Sequence, residues 1–187
     1  MDSPFMEAIT AGLVALGLAV VRFEFPYMAQ RRLGGTKRPP DRLPVLLDHY
    51  RQLHAELRPQ VAGPLLIGGK SMGGRIASLL ADELAVDGLV CLGYPFHPPD
   101  KAERLRTEHL AGLRTPALIV QGERDPFGRH EEVVGYVLSE RIRVHWLPSG
   151  DHDFKPLRSS GLSQAQSIEN AAQAVGAWLA ERGGREA

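Results

Sequence analysis

The sequence predicts an α/β fold, a mostly parallel sheet with helices on both faces, and three observations carry that prediction. Four short apolar runs bounded by glycine, proline or charge, at residues 65–67, 88–92, 117–121 and 142–147, read as buried strands. Apolar residues recur at helical spacing between them, as in Met72, Ile76, Leu79 and Leu80. The two patterns alternate along the chain, which implies parallel strands joined by helical crossovers.

At 187 residues the chain has the length of a single domain, 1–187, large enough to bury a core without disulfides or metals. Lysine plus arginine number 22, as do aspartate plus glutamate, so no net field draws the chain to nucleic acid or acidic membranes. Cys91 is the only cysteine, which excludes an internal disulfide and fits a reducing compartment. In the run Leu89-Val90-Cys91-Leu92 it reads as a small buried hydrophobe. Residues 8–21 are apolar, but Asp2 and Glu7 precede them instead of a basic leader, and Arg22 ends the run short of membrane-spanning length. A cytoplasmic protein with neither nucleic-acid nor membrane partner is expected.

Met6, Ile9, Leu13 and Leu16 predict a first helix closed by Gly17, and residues 18–25 then read as a strand ended by Pro26. The loop from Tyr27 to Pro40 carries Arg31, Arg32, Lys37 and Arg38 just past that strand. This is the edge where α/β sheets place ligands, so the loop suits an anionic substrate as well as plain solvated charge. Asp41 is positioned to cap a helix whose Leu43, Leu46, Leu47, Tyr50, Leu53 and Leu57 form one stripe. His49 and His54 flank the stripe without metal-ligand spacing. A helix over 72–84 follows the strand at 65–67. After the strand at 88–92, a short stretch with one helix over 101–110 leads to the strand at 117–121. A helix containing Val133, Val134, Val137 and Leu138 precedes the strand at 142–147. The last helix spans roughly 163–181, with Ile168, Ala172, Val175, Trp178 and Leu179 on one face, and 182–187 is a frayed tail.

The chemistry gathers where strands end. Gly69-x-Ser71-x-Gly73 has the form of a nucleophile elbow, a tight strand-to-helix turn that holds a serine clear of the sheet. The helix that follows points its N–H groups at the charge that develops in acyl transfer. Gly69-Lys70-Ser71 also imitates the end of a phosphate loop, but that motif needs a glycine where Pro64 stands and a loop where Leu65-Leu66-Ile67 stands. Asp125, in Gly122-Glu123-Arg124-Asp125-Pro126, follows the third strand, and His152, in Gly150-Asp151-His152-Asp153, follows the last. Serine, acid and histidine in that order can form a catalytic triad, with His152 taking the Ser71 proton and Asp125 fixing the imidazole tautomer and stabilising the imidazolium. Asp151 and Asp153 compete as partners of His152, but sequence neighbours rarely meet a ring correctly. Tyr27, Tyr94, His97 and Phe127 are candidate pocket-lining residues by strand-end position, and each reads equally well as core or loop.

Gly68-Gly69-Lys70-Ser71-Met72-Gly73-Gly74-Arg75, Gly93-Tyr94-Pro95-Phe96-His97-Pro98, Gln121-Gly122-Glu123-Arg124-Asp125-Pro126-Phe127-Gly128 and Gly150-Asp151-His152-Asp153 together resemble the small, dienelactone-hydrolase-like branch of the α/β-hydrolases. That branch also contains the hydrolase-like subunit of an animal histone acetyltransferase complex. The resemblance covers nearly the whole chain. It implies Ser71 as nucleophile, Asp125 as acid, His152 as base and the Met72 N–H as an oxyanion donor, with a minimal lid, no cofactor and no metal. The implied activity is hydrolysis of small esters or thioesters through an acyl-enzyme. The alternative is a non-catalytic α/β-hydrolase-fold module for protein contacts. Members of the branch carry a further strand and a His-Gly loop, source of the second oxyanion donor, upstream of a segment like Met1–Met6. The expectation is therefore a chain lacking the N-terminal strands, through a late start or truncation. It would self-associate through an exposed strand edge and act more slowly, since one lost donor costs about 10²- to 10³-fold.

Overall fold

The computed structural model describes residues 2–34 and 39–183. Four parallel strands, β1 (Leu66–Lys70), β2 (Gly88–Leu92), β3 (Ala117–Gly122) and β4 (Ile142–Leu147), stand side by side in chain order. Ser71, the Gly93–Pro98 segment, Asp125 and His152 all follow the C-terminal ends of these strands. Helices α1 (Pro4–Ala15) and α7 (Gln164–Gly183) cover one face, where Ile9, Leu118, Val120, Ala172 and Trp178 pack together. On the other face α3 (Leu43–Leu57) and α4 (Met72–Leu80) bury Leu46, Tyr50, Ile76 and Leu80 against Leu89, Cys91 and Ile119. Both faces of β3 are therefore dry, and all six of its residues are buried. Such burial explains why β2 and β3 read as near-continuous apolar runs, whereas β4, at the sheet edge, alternates, with Arg143 exposed.

Residues 18–25 form no strand. A strand requires a ladder partner, and no strand pairing includes them among the described residues. Phe23 and Phe25 pack instead on the Tyr50 ring, at 5.1 and 6.5 Å between centroids, and Pro26 opens α2 (Pro26–Arg32). Asp41 does not cap α3. Its carboxylate accepts the Tyr27 N–H at 3.2 Å and so caps α2 across the intervening loop. Arg31 lies over the Tyr27 ring and Arg32 pairs with Glu24 at 3.2 Å, while Lys37 and Arg38 lie outside the described residues.

The helix predicted over 101–110 shrinks to α5 (Glu108–Ala111). The backbone of Arg106 is taken up by tertiary bonds, its N–H donating to Phe96 and its carbonyl accepting the Tyr94 hydroxyl. The helix predicted around Val133–Leu138 is only α6 (His130–Val133). Val134 closes it and Gly135 comes next, and Val134 and Val137 are exposed. The helix predicted to Leu84 stops at Leu80 in a run of turns. At the C-terminus, Arg182 and Gly183 belong to α7. Arg182 lies over Trp178 and donates to the Asp87 carbonyl, so the frayed-tail prediction fails for these two residues, and 184–187 lie outside those described.

The outer edge of β1 meets a side chain. The Tyr50 hydroxyl accepts the Gly68 N–H at 3.2 Å and donates to the Gly68 carbonyl at 3.3 Å. One phenol thus satisfies a backbone position that a neighbouring strand would otherwise serve. Tyr50→Phe keeps the ring packing and orphans both groups, so it should destabilise the fold by about 1–3 kcal/mol in urea titration. An unchanged midpoint would show that water replaces the hydroxyl freely.

Candidate active site

Ser71 sits between β1 and α4 at φ 52°, ψ −117°, a conformation that costs a residue with a Cβ about 1–3 kcal/mol. The turn is held by the Ser71 N–H donating to Leu92 and the Arg75 N–H donating to Ser71. It closes only because two glycines meet across it. A Cβ on Gly69 would come 2.9 Å from the Gly73 carbonyl carbon, and one on Gly74 would come 2.7 Å from the Gly69 oxygen. Met72 is the first residue of α4, so its N–H has no intrahelical acceptor and faces the same end of the helix as Ser71.

His152 is brought to Ser71 by a compact loop after β4. Asp151 Oδ1 accepts the N–H groups of Asp153 and Lys155, and Phe154, fully buried, anchors the loop against Phe5 at 5.2 Å. Asp151 is thereby spent on the loop itself. Asp153 pairs with Lys70 at 3.2 Å, so neither neighbour competes for the ring. The Lys70 ammonium also lies over Phe5, and burial pulls its pKa down against the raising influence of Asp153.

His152 Nε2 lies 2.9 Å from Ser71 Oγ, and Nδ1 lies 2.8 Å from Asp125 Oδ2. A carboxylate only accepts, so Nδ1 carries the proton and Nε2 is free to accept from the serine. Asp125 is completely buried, with Oδ1 accepting the Phe127 N–H at 2.9 Å and Oδ2 accepting from Gln121 Nε2 at 3.0 Å. The Phe127 ring lies 4.4 Å from the imidazole. Behind it Gly93, at φ 65°, leaves room that a Cβ would take 3.4 Å from the ring.

Of the other residues singled out by position, Tyr94 and His97 are buried. Tyr94 presents its ring edge to Phe96 and its hydroxyl to Arg106. His97 Nδ1 donates to Pro98, and its Nε2 lies 3.4 Å from Glu132 without hydrogen-bond geometry. Tyr27 is buried in the first turn of α2. Ser71 and His152 are only half-buried, and the one helix between β2 and β3 is the four-residue α5. Cys91 is buried, its thiol pushed up by desolvation.

Gln121 was given no role by the sequence, though a lone amide in a wholly apolar strand was the signal. Its Oε1 accepts the Tyr94 N–H, and its Nε2 contacts the Tyr94 carbonyl, Asp125 and the Gly128 carbonyl. The amide ties the acid loop to the end of β2. Gln121→Leu strands several buried groups and should cost on the order of 3 kcal/mol. A urea midpoint within error of the parent would contradict this role.

A model of the alpha/beta hydrolase domain family matches residues 1–180. The chain belongs to that family. Among solved structures, this hydrolase domain is similar to the esterase domain of a Rhodothermus marinus protein, with TM-score 0.65 and 19% identity over 93% of this chain and 79% of that one. It is similar also to an alpha-beta serine hydrolase homologue from Coxiella burnetii, with TM-score 0.67 and 20% identity over 92% and 76%. A third, a serine hydrolase without a lid from Xanthomonas campestris, gives 0.66 and 19% over 93% and 74%. At such identities the likeness concerns the fold of the hydrolase domain. No helix among its described residues is long and apolar enough to cross a membrane.

Proposed function

We propose that the protein is a serine hydrolase acting on small esters or thioesters through an acyl-enzyme. The observation that carries this reading is the unbroken line Ser71 Oγ, His152, Asp125, at 2.9 and 2.8 Å, at the start of a helix. In the first step Ser71 Oγ attacks the acyl carbon while His152 Nε2 takes its proton. The tetrahedral oxyanion is met by the Met72 N–H and the positive end of α4. The imidazolium is stabilised by Asp125, and it returns the proton to the departing alcohol or thiol. Water then repeats the sequence on the acyl-enzyme. The half-burial of Ser71 and His152 supports small, accessible substrates, and the cavity of about 460 Å³ around Pro116, Ile142 and Trp178 lies at the opposite ends of β3 and β4.

The test is intact-mass analysis after treatment with a fluorophosphonate, followed by a panel of acyl esters and thioesters of increasing chain length. A single adduct on the peptide carrying Ser71, with turnover falling as the acyl chain lengthens, is the expected result. A folded protein that takes no adduct would overturn it and favour the non-catalytic interaction module.

A further inference from the structure

A second cleft, of about 290 Å³, opens beside α4 and is lined by Arg75, Leu79, Leu105, Arg106, Glu108 and His109. Arg75 leaves α4 one turn beyond Ser71, and Arg106 comes from the β2–β3 connection, its backbone pinned by Phe96 and Tyr94. Neither guanidinium has a carboxylate within ion-pair distance among the described residues, and Arg75 Nε is buried without a hydrogen-bond partner. The two are close enough to oppose one another. Burial first, then the Arg75 charge, holds Arg106 below its ordinary pKa. The same two causes in the same order push His109 down to about 4. Neutral at pH 7, His109 donates from Nε2 to Ser78 Oγ at 2.8 Å, and Ser78 in turn donates to the Arg75 carbonyl. That chain fixes the wall of the cleft and leaves its positive charge uncompensated. Glu108, exposed in solvent, is the one acid among the lining residues.

We propose that this cleft binds a phosphate-class oxyanion, either free phosphate or the phosphoryl group of a small phosphomonoester. Two guanidiniums brought together without a counter-ion have a strong reason to share a dianion, and each offers a fork of N–H donors matched to two phosphoryl oxygens. Leu79 and Leu105 supply an apolar wall beside the cations, suited to the carbon skeleton of a monoester. The site shares no residue with Ser71, His152 or Asp125, so it stands or falls independently of the hydrolase reading.

The full chain is titrated with inorganic phosphate and with glycerol phosphate at constant ionic strength set by sodium chloride, and the arginine Nε–H signals are followed in ¹⁵N-edited NMR spectra. Saturable shifts of two arginine Nε–H signals are expected. Glycerol phosphate binding more tightly would mark a monoester site, and phosphate binding equally well or better would mark a free-phosphate site. Arg106→Gln should raise Kd about tenfold or more, the worth of one charge-assisted bidentate contact. Shifts that fail to saturate, that chloride reproduces, or that survive unchanged in Arg106→Gln would overturn the proposal. The spectra of the parent protein decide the matter even if the variant does not fold.

Discussion

Ser71→Ala is expected to abolish fluorophosphonate labelling and to lower ester turnover on the order of 10⁶-fold, as loss of a triad nucleophile does elsewhere. Stability should barely change. Alanine keeps the Cβ and therefore the same strain at φ 52°, and the backbone bonds that hold the turn, from the Ser71 N–H to Leu92 and from Arg75 to the Ser71 carbonyl, involve no side chain. The variant lacks only the Oγ bond to His152. Turnover reduced less than tenfold, in a protein whose urea midpoint matches the parent, would remove Ser71 from the mechanism.

Asp125→Asn should cost about 10⁴-fold in kcat with little change in KM. The side chain keeps its size in a fully buried site, and one polar atom still accepts the Phe127 N–H. The atom facing His152 Nδ1 then decides the outcome. Either orientation of the amide sets its nitrogen against a donor, Gln121 Nε2 on the His152 side or the Phe127 N–H on the other, and the backbone N–H is the donor that cannot turn away. If the amide turns its nitrogen to the imidazole, Nδ1 must accept and the ring proton moves to Nε2, where it faces Ser71 and blocks proton uptake. Proton NMR reads this directly. The parent should show a downfield Nδ1–H resonance that the variant lacks. Near-parental kcat, or a retained Nδ1–H signal, would mean that Asp125 does not set the tautomer.

The line from Ser71 to Asp125 could be read early because each residue is fixed by local chemistry. An apolar run, two glycines and a helical stripe specify the turn that holds Ser71, whatever lies elsewhere. The same locality makes β2 and β4 coincide with their predicted limits, since both are short and bounded by turns. Residues 18–25 show the opposite case. Val20, Val21 and Phe23 favour extended backbone, but strand formation depends on what stands beside the segment, and no pairing includes it among the described residues. Helical periodicity in 101–110 was likewise overruled once Phe96 and Tyr94 claimed the backbone of Arg106.

From the sequence alone follow the parallel α/β order, the placing of Ser71, Asp125 and His152 at three strand ends, and the choice of Asp125 over Asp151 and Asp153 as the acid facing His152. These depend on periodicity, turn chemistry and the order of strand ends, all of which are local. Tertiary structure decided that Asp41 caps a different helix, that Gln121 ties the acid loop to β2, that Tyr50 satisfies the edge of β1, and that Arg75 and Arg106 face one cleft without a counter-ion. Each of these joins groups distant in sequence, and a side chain's hydrogen-bond partner is chosen by which unsatisfied group the fold brings within 3 Å or so, a choice no sequence pattern encodes.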